Sequence, residues 1–174
     1  MAKIAVLGYG VVGSGTVEVI EKNKAGLLKK AGQEIEIKYI LDLREFPGDP
    51  MEDKIVHDYA VIKNDPEIAI VVEAMGGVEP AYTFAKQALE SGKHFATSNK
   101  ALIAEKGAEL IRIAKESAYT ALKERELQDN AIAEAKGLKP YTLLNVEFND
   151  GADQQSSGYM GWYYATLAVD GKIC

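Results

Sequence analysis

Apolar residues follow two rhythms along the first two thirds of the chain. Uninterrupted short runs such as Ile4-Ala5-Val6-Leu7 predict strands, and the recurrence at Val17, Ile20 and Leu27 predicts a helix after the first one. Glu34 to Asp42 (E-I-E-I-K-Y-I-L-D) alternates, then turns apolar and ends on an acid, as a strand entering a sheet should. Phe46-Pro47-Gly48-Asp49-Pro50 is a loop, because two prolines and a glycine in five residues cannot sustain regular pairing. Ile68 to Glu73 reads as a strand buried on both faces, followed by a flexible turn at Met75-Gly76-Gly77. Glu79-Pro80 begins a helix through Leu89 that stops at Ser91-Gly92, and His94 to Thr97 is the next strand. Strands separated by helices in this way predict an α/β fold, a Rossmann-like doubly wound parallel sheet with ligands at the carboxyl ends of its strands.

The last third has a different texture. Ala118 to Lys136 reads as a helix with an apolar stripe of Ala121, Leu122, Ala131, Ile132 and Ala135, stopped by Gly137. Tyr141 to Phe148 reads as a strand, Asn149 to Ser157 as a polar loop and Tyr159 to Val169 as an aromatic-rich strand. Asp170-Gly171 then makes a hairpin turn with almost no return strand. The expected organisation is therefore a domain over residues 1–117 and a helix plus β extension over 118–174. Tyr159, Trp162, Tyr163 and Tyr164 could form a binding surface, although such residues more often pack along the two faces of a strand.

Composition narrows the function. A chain of 174 residues can bury a real core, and its net charge of -6 argues against a broad nucleic-acid or anionic-membrane surface, so any phosphate site must be local. One cysteine, Cys174, leaves no intrachain disulfide or multi-cysteine metal site, and the two histidines, His57 and His94, read as ordinary surface or strand-edge residues. With no signal-like or spanning apolar segment, a cytoplasmic setting is the default and no metal is expected.

The chemistry concentrates where the first strand runs into Gly8-Tyr9-Gly10-Val11-Val12-Gly13, a G-x-G-x-x-G turn that opens a helix. Gly8 permits the tight turn, Gly10 lets the backbone approach a pyrophosphate, and Gly13 lets the helix pack close against the strand. Unpaired amides and the positive end of the helix dipole then stabilise the phosphate charge, which points to NADP or NAD as cofactor. An acid at the end of the second strand can accept from the adenosine ribose, and a nearby arginine can pair with a 2′-phosphate. Asp42-Leu43-Arg44 offers both, and we read NADP as accepted with NAD not excluded. Lys100, after the strand ending at Thr97, is either a helix-flanking surface lysine or an ammonium placed to hold a polarised carbonyl.

The glycine turn, Leu41-Asp42-Leu43-Arg44 with Phe46-Pro47-Gly48-Asp49-Pro50, Glu73-Ala74-Met75-Gly76-Gly77 and Thr97-Ser98-Asn99-Lys100-Ala101-Leu102 occur in an order and spacing that resemble the nucleotide-binding half of homoserine dehydrogenase, from about Met1 to Ser117. That family interconverts aspartate semialdehyde and homoserine with NAD(P)H, on the route to threonine and methionine. The resemblance implies that Gly10, Val11 and Val12 cradle the pyrophosphate and that Arg44 meets the adenosine end. It also implies that Ser98 and Lys100 lie near the nicotinamide, with Lys100 catalytic and Gly76 in the cofactor-binding set. A small-molecule substrate, homoserine or aspartate semialdehyde, follows from the same likeness.

The chain departs from the family after that point. The family continues into another core strand, a glycine-rich E-A-S-V-G-G-G segment and a substrate and dimerisation domain, whose motifs do not occur here. Either Tyr141 to Phe148 supplies the missing sheet strand after an inserted helix, or the tail is a foreign segment joined to a truncated domain, with any homo-oligomer forming through it. Glu147 has no motif to support it as a replacement carboxylate. Two other functions compete: an oxidoreductase of the glucose–fructose type, and a non-catalytic nucleotide sensor or scaffold that needs only the glycine turn.

Overall fold

Alternate side chains of the first strand, β1 (Ala2–Leu7), point into two different cores: Ala5 and Leu7 into one, Ile4 and Val6 into the other. A strand covered on both faces belongs at the centre of a parallel sheet. β1 lies there, between β2 (Ile35–Leu41) and β4 (Ile68–Glu73), with β3 (Ile55–Val56) and β5 (His94–Thr97) at the edges. The order β3-β2-β1-β4-β5, all parallel, reverses direction next to β1, and such a switch point opens a crevice at the carboxyl ends. Residues 1–149, 162–169 and 172–173 are described in the computed structural model, which divides into two units, Met1–Ala114 and Lys115–Cys174.

The sheet matches the predicted doubly wound fold, while the helices correct three details. The first helical stretch is two helices, α1 (Val11–Lys22) and α2 (Lys24–Ala31), parted at Asn23. Both the Asn23 amide and its side-chain nitrogen donate to Val19 O, which closes α1 before α2 begins. β3 and the short α3 (Tyr59–Lys63) carry too few residues for a periodic signal, although Asp58 caps α3 by accepting from the Ala60 amide. After α4 (Ala81–Glu90), the helix expected from Ala118 is the end of one continuous helix, α5 (Lys100–Ala135). It stops as predicted at Gly137, which takes φ +67°, while the amides of Gly137 and Leu138 bond Glu134 O and Ala133 O. Among the described residues no helix is long and apolar enough to cross a membrane.

In the second unit, β6 (Tyr141–Asn149), β7 (Trp162–Val169) and β8 (Lys172–Ile173) form a separate antiparallel sheet in that order. β6 therefore does not supply a further strand to the parallel sheet. Ala121, Ala131, Ile132 and Ala135 of the expected apolar stripe are exposed, and the more covered side of this stretch is polar, with Glu126 buried. Lys123 donates to Leu143 O and pairs with Glu126, whose carboxylate accepts from the Leu143 amide, and Asn130 brackets both the amide and the carbonyl of Tyr141. Tyr159, the Asp170-Gly171 turn, Cys174 and the side chains of Glu147, Trp162, Tyr163 and Tyr164 lie outside the described residues.

Candidate functional site

The glycine turn at the carboxyl end of β1 is shaped by two steric demands. Gly8 takes φ +91°, and a Cβ there would come within 2.9 Å of the Met75 side chain. A Cβ on Gly13 would sit 1.8 Å from Gly8 O, so only a hydrogen lets α1 approach the turn. Gly10 has nothing within 4 Å of its Cβ position and caps α1 without a side-chain acceptor. The amides of Val11, Val12 and Gly13 open the helix, where no intrahelical acceptor reaches them, and no acidic side chain occupies that first turn. Val11 is 92% exposed, an apolar side chain left in water beside those amides.

Two cavities flank the turn. The larger, about 500 Å³, is lined by Gly8, Gly10, Asp42, Arg44 and His57 together with the Tyr59–Phe84 pair. Those two rings stack at 4.3 Å, and burial pushes the Tyr59 hydroxyl up to about 12 while it donates to Phe84 O. The Arg44 guanidinium beside Asp42, aided by amide donors, holds that carboxyl well below the usual carboxylate range despite some burial. Arg44 also lies over the Phe46 ring, and Phe46 packs edge-on against Tyr9 at 4.9 Å, so the loop after β2 is fastened to the glycine turn. The smaller cavity, about 210 Å³, is lined by Val12, Thr16, Glu73, Ala74, Thr97 and Ser98.

Glu73, quoted only as part of a motif in the sequence, organises the far side of the site. Its buried carboxylate accepts from the amides of Met75 and Gly76 at 2.7 and 3.0 Å and from the Thr97 hydroxyl. Thr97 Oγ1 in turn accepts from the Asn99 amide, and the Asn99 side chain donates to Gly77 O while capping α5 at the Leu102 amide. This relay ties the Gly76-Gly77 loop, both residues at positive φ, to the segment carrying Ser98 and Lys100. An acid ending an apolar strand three residues before a glycine pair was the available signal for it. Lys100 is the first residue of α5, exposed, and is not among the lining residues of either cavity. The structure thus gathers Gly8, Gly10, Asp42 and Arg44 at one cavity and Val12 and Ser98 at the other, with Gly76 and Lys100 in the segments the relay joins.

Comparison with known proteins agrees with this geometry. The family model described as "Homoserine dehydrogenase, NAD binding domain" matches residues 8–124. The homoserine dehydrogenase of Pseudomonas aeruginosa is 39% identical over 115 residues, covering 66% of this chain and 26% of that protein. The one from Synechocystis is 42% identical over 120 residues, covering 66% and 27%. Among solved structures, the Staphylococcus aureus homoserine dehydrogenase at pH 7.0 matches with a TM-score of 0.60 and 36% identity over 67% of this chain and 30% of that one. A homoserine dehydrogenase from Thiobacillus denitrificans matches at 0.61 and 34%, over 67% and 28%. The chain spans about a quarter of the length of the curated relatives it matches.

Proposed function

The chain belongs to the homoserine dehydrogenase NAD-binding domain family, and we propose that it holds NADP or NAD across the glycine turn and serves the hydride transfer between homoserine and aspartate semialdehyde. The observation that carries this reading is the turn itself. Bare amides of Val11, Val12 and Gly13 stand between a larger cavity beside the stacked Tyr59–Phe84 pair and a smaller one at Ser98. The amides and helix dipole suit a pyrophosphate, the flat apolar wall suits a purine, and Arg44 suits the adenosine ribose. Gly8 and Gly76 shape the loops on either side, and Asp42 holds Arg44. When bound, the nicotinamide supplies or accepts the hydride.

Lys100 is assigned to the substrate carbonyl. A cation in the first turn of a helix opposes the macrodipole, so helix stability does not account for its presence there. Its ammonium would steady the oxygen that gains charge as hydride arrives. Exposed Leu127, Ile132, Leu138 and Leu144 support a homo-oligomer through the C-terminal extension of residues 118–174, which light scattering would read. The lone cysteine fits a cytoplasmic setting.

Calorimetric titration of the purified chain with NADPH and NADH tests the binding; no heat with either at millimolar concentration would overturn it. Homoserine-dependent reduction of NADP tests turnover separately, with Lys100→Met expected to lower kcat and leave the dinucleotide Kd unchanged. A background rate in a chain that binds the dinucleotide would leave binding without hydride transfer.

A further inference from the structure

The two units bury their acids differently. Glu126 of the second unit is paired with Lys123. Glu73, at the carboxyl end of β4 and 1% exposed, is the buried acid of the first unit, and it faces no cation. Its three donors, the amides of Met75 and Gly76 and the Thr97 hydroxyl, are all neutral, and among the described residues no lysine, arginine or histidine pairs with it. Burying a carboxylate without a counter-charge is unfavourable, and neutral donors offset only part of that cost.

The same residue lines the smaller cavity, about 210 Å³, and is the one charged residue to do so; the rest of the wall is valine, threonine, alanine and serine. A buried negative charge at a neutral-walled cavity favours a cation in that space, because its field acts largely through protein and is screened less than in bulk water. On the dinucleotide reading above, the larger cavity with its flat apolar wall takes the purine, which leaves the smaller one to the nicotinamide ring. That ring is a cation when oxidised and neutral when reduced.

Resting on that reading, we propose that Glu73 is the residue by which the site tells the oxidised dinucleotide from the reduced one: its buried charge stabilises the cationic ring and not the neutral one. The preference carries into the reaction. Glu73 favours the state in which the hydride, with both its electrons, has passed from the ring to the substrate carbonyl carbon and the oxygen has taken a proton from solvent, so it favours aldehyde reduction over alcohol oxidation on the protein. This role is separate from the loop contacts that the same carboxylate makes.

The experiment is a calorimetric titration of the full chain and of Glu73→Gln with oxidised and reduced NADP and NAD, and with ADP-ribose, which lacks the nicotinamide. Glutamine keeps the shape: its carbonyl oxygen accepts from both amides and its nitrogen donates to Thr97 Oγ1, so the loop stays fastened while the charge is removed. The wild-type chain should bind the oxidised forms more tightly than the reduced ones. In Glu73→Gln the oxidised forms should weaken by about 10-fold, the effect of removing one screened charge pair, while the reduced forms and ADP-ribose stay within about two-fold. Equal weakening of both redox forms, as a purely structural role would give, or an unchanged ratio between them overturns the proposal. If the variant fails to fold, a wild-type chain without a preference for the oxidised forms overturns it. A folded chain that binds no dinucleotide in either form overturns the dinucleotide reading itself, a result distinct from equal binding of both.

Discussion

The two units keep their strands in place by different chemistry. In the first, β1 is paired on both edges and covered on both faces, so Val6, Leu7, Ile37 and Ile40 are fully buried and apolar burial does the holding. In the second, β6 pairs with β7, and among the described residues no strand pairs with its other edge. At Tyr141 and Leu143 the opposite edge is met by side chains of α5, with Asn130, Glu126 and Lys123 standing in for a neighbouring strand. An edge strand exposes unpaired backbone groups, and satisfying them with helix side chains blunts that exposure without adding a strand. The first solution tolerates polar change at the surface and is sensitive to volume; the second is sensitive to single polar substitutions.

The largest effect should come from filling the closest approach in the first unit. Gly13→Val puts a branched side chain where even a Cβ would lie 1.8 Å from Gly8 O. It should cost about 3 kcal/mol or more in denaturant unfolding and abolish dinucleotide binding by calorimetry; a variant of wild-type stability that still binds would break the account of the turn. A smaller and more local effect is expected in the second unit. Asn130→Ala removes both bonds to the Tyr141 backbone and should cost about 1–2 kcal/mol. Amide exchange should quicken across β6 and stay unchanged in β1 and β4. Equal acceleration in both units would erase the distinction.

The smallest effect concerns acid. Lys38, the Glu67 amide and Lys38's charge hold Asp65 down at about 2, against 3.8 when unpaired. Because the folded-state value is depressed, the stabilisation is complete above about pH 4 and is lost as pH falls towards about 2. Thermal unfolding of the wild-type chain should therefore drop through that window, and Lys38→Met should flatten the drop. An identical acid profile in the variant would show that this pair contributes nothing measurable.

Much of the first unit was legible because its signals are local. Strands buried on both faces read as apolar runs, and the demand for hydrogen at Gly8 and Gly13 appears as their spacing. The second unit read less well. A method that counts apolar positions finds a stripe at Ala121, Ala131, Ile132 and Ala135, yet the side facing β6 is built from Lys123, Glu126 and Asn130, residues that also fit a solvated surface. The helix read from Ala118 also starts earlier, at Lys100, and no glycine or proline between Gly107 and Gly137 interrupts it.

By itself the sequence determined the parallel sheet, the glycine turn and the identity of Asp42 and Arg44 beside it, because periodicity and steric need are written in neighbouring residues. Only the tertiary structure decided that Asp42 is saturated, that Glu73 buttresses the Gly76-Gly77 loop through Thr97 and Asn99, and that β6 pairs in its own sheet. Those outcomes depend on which donors meet which acceptors 22 to 33 positions apart, as from Gly77 to Asn99 or Tyr9 to Asp42, and no local pattern records such a meeting.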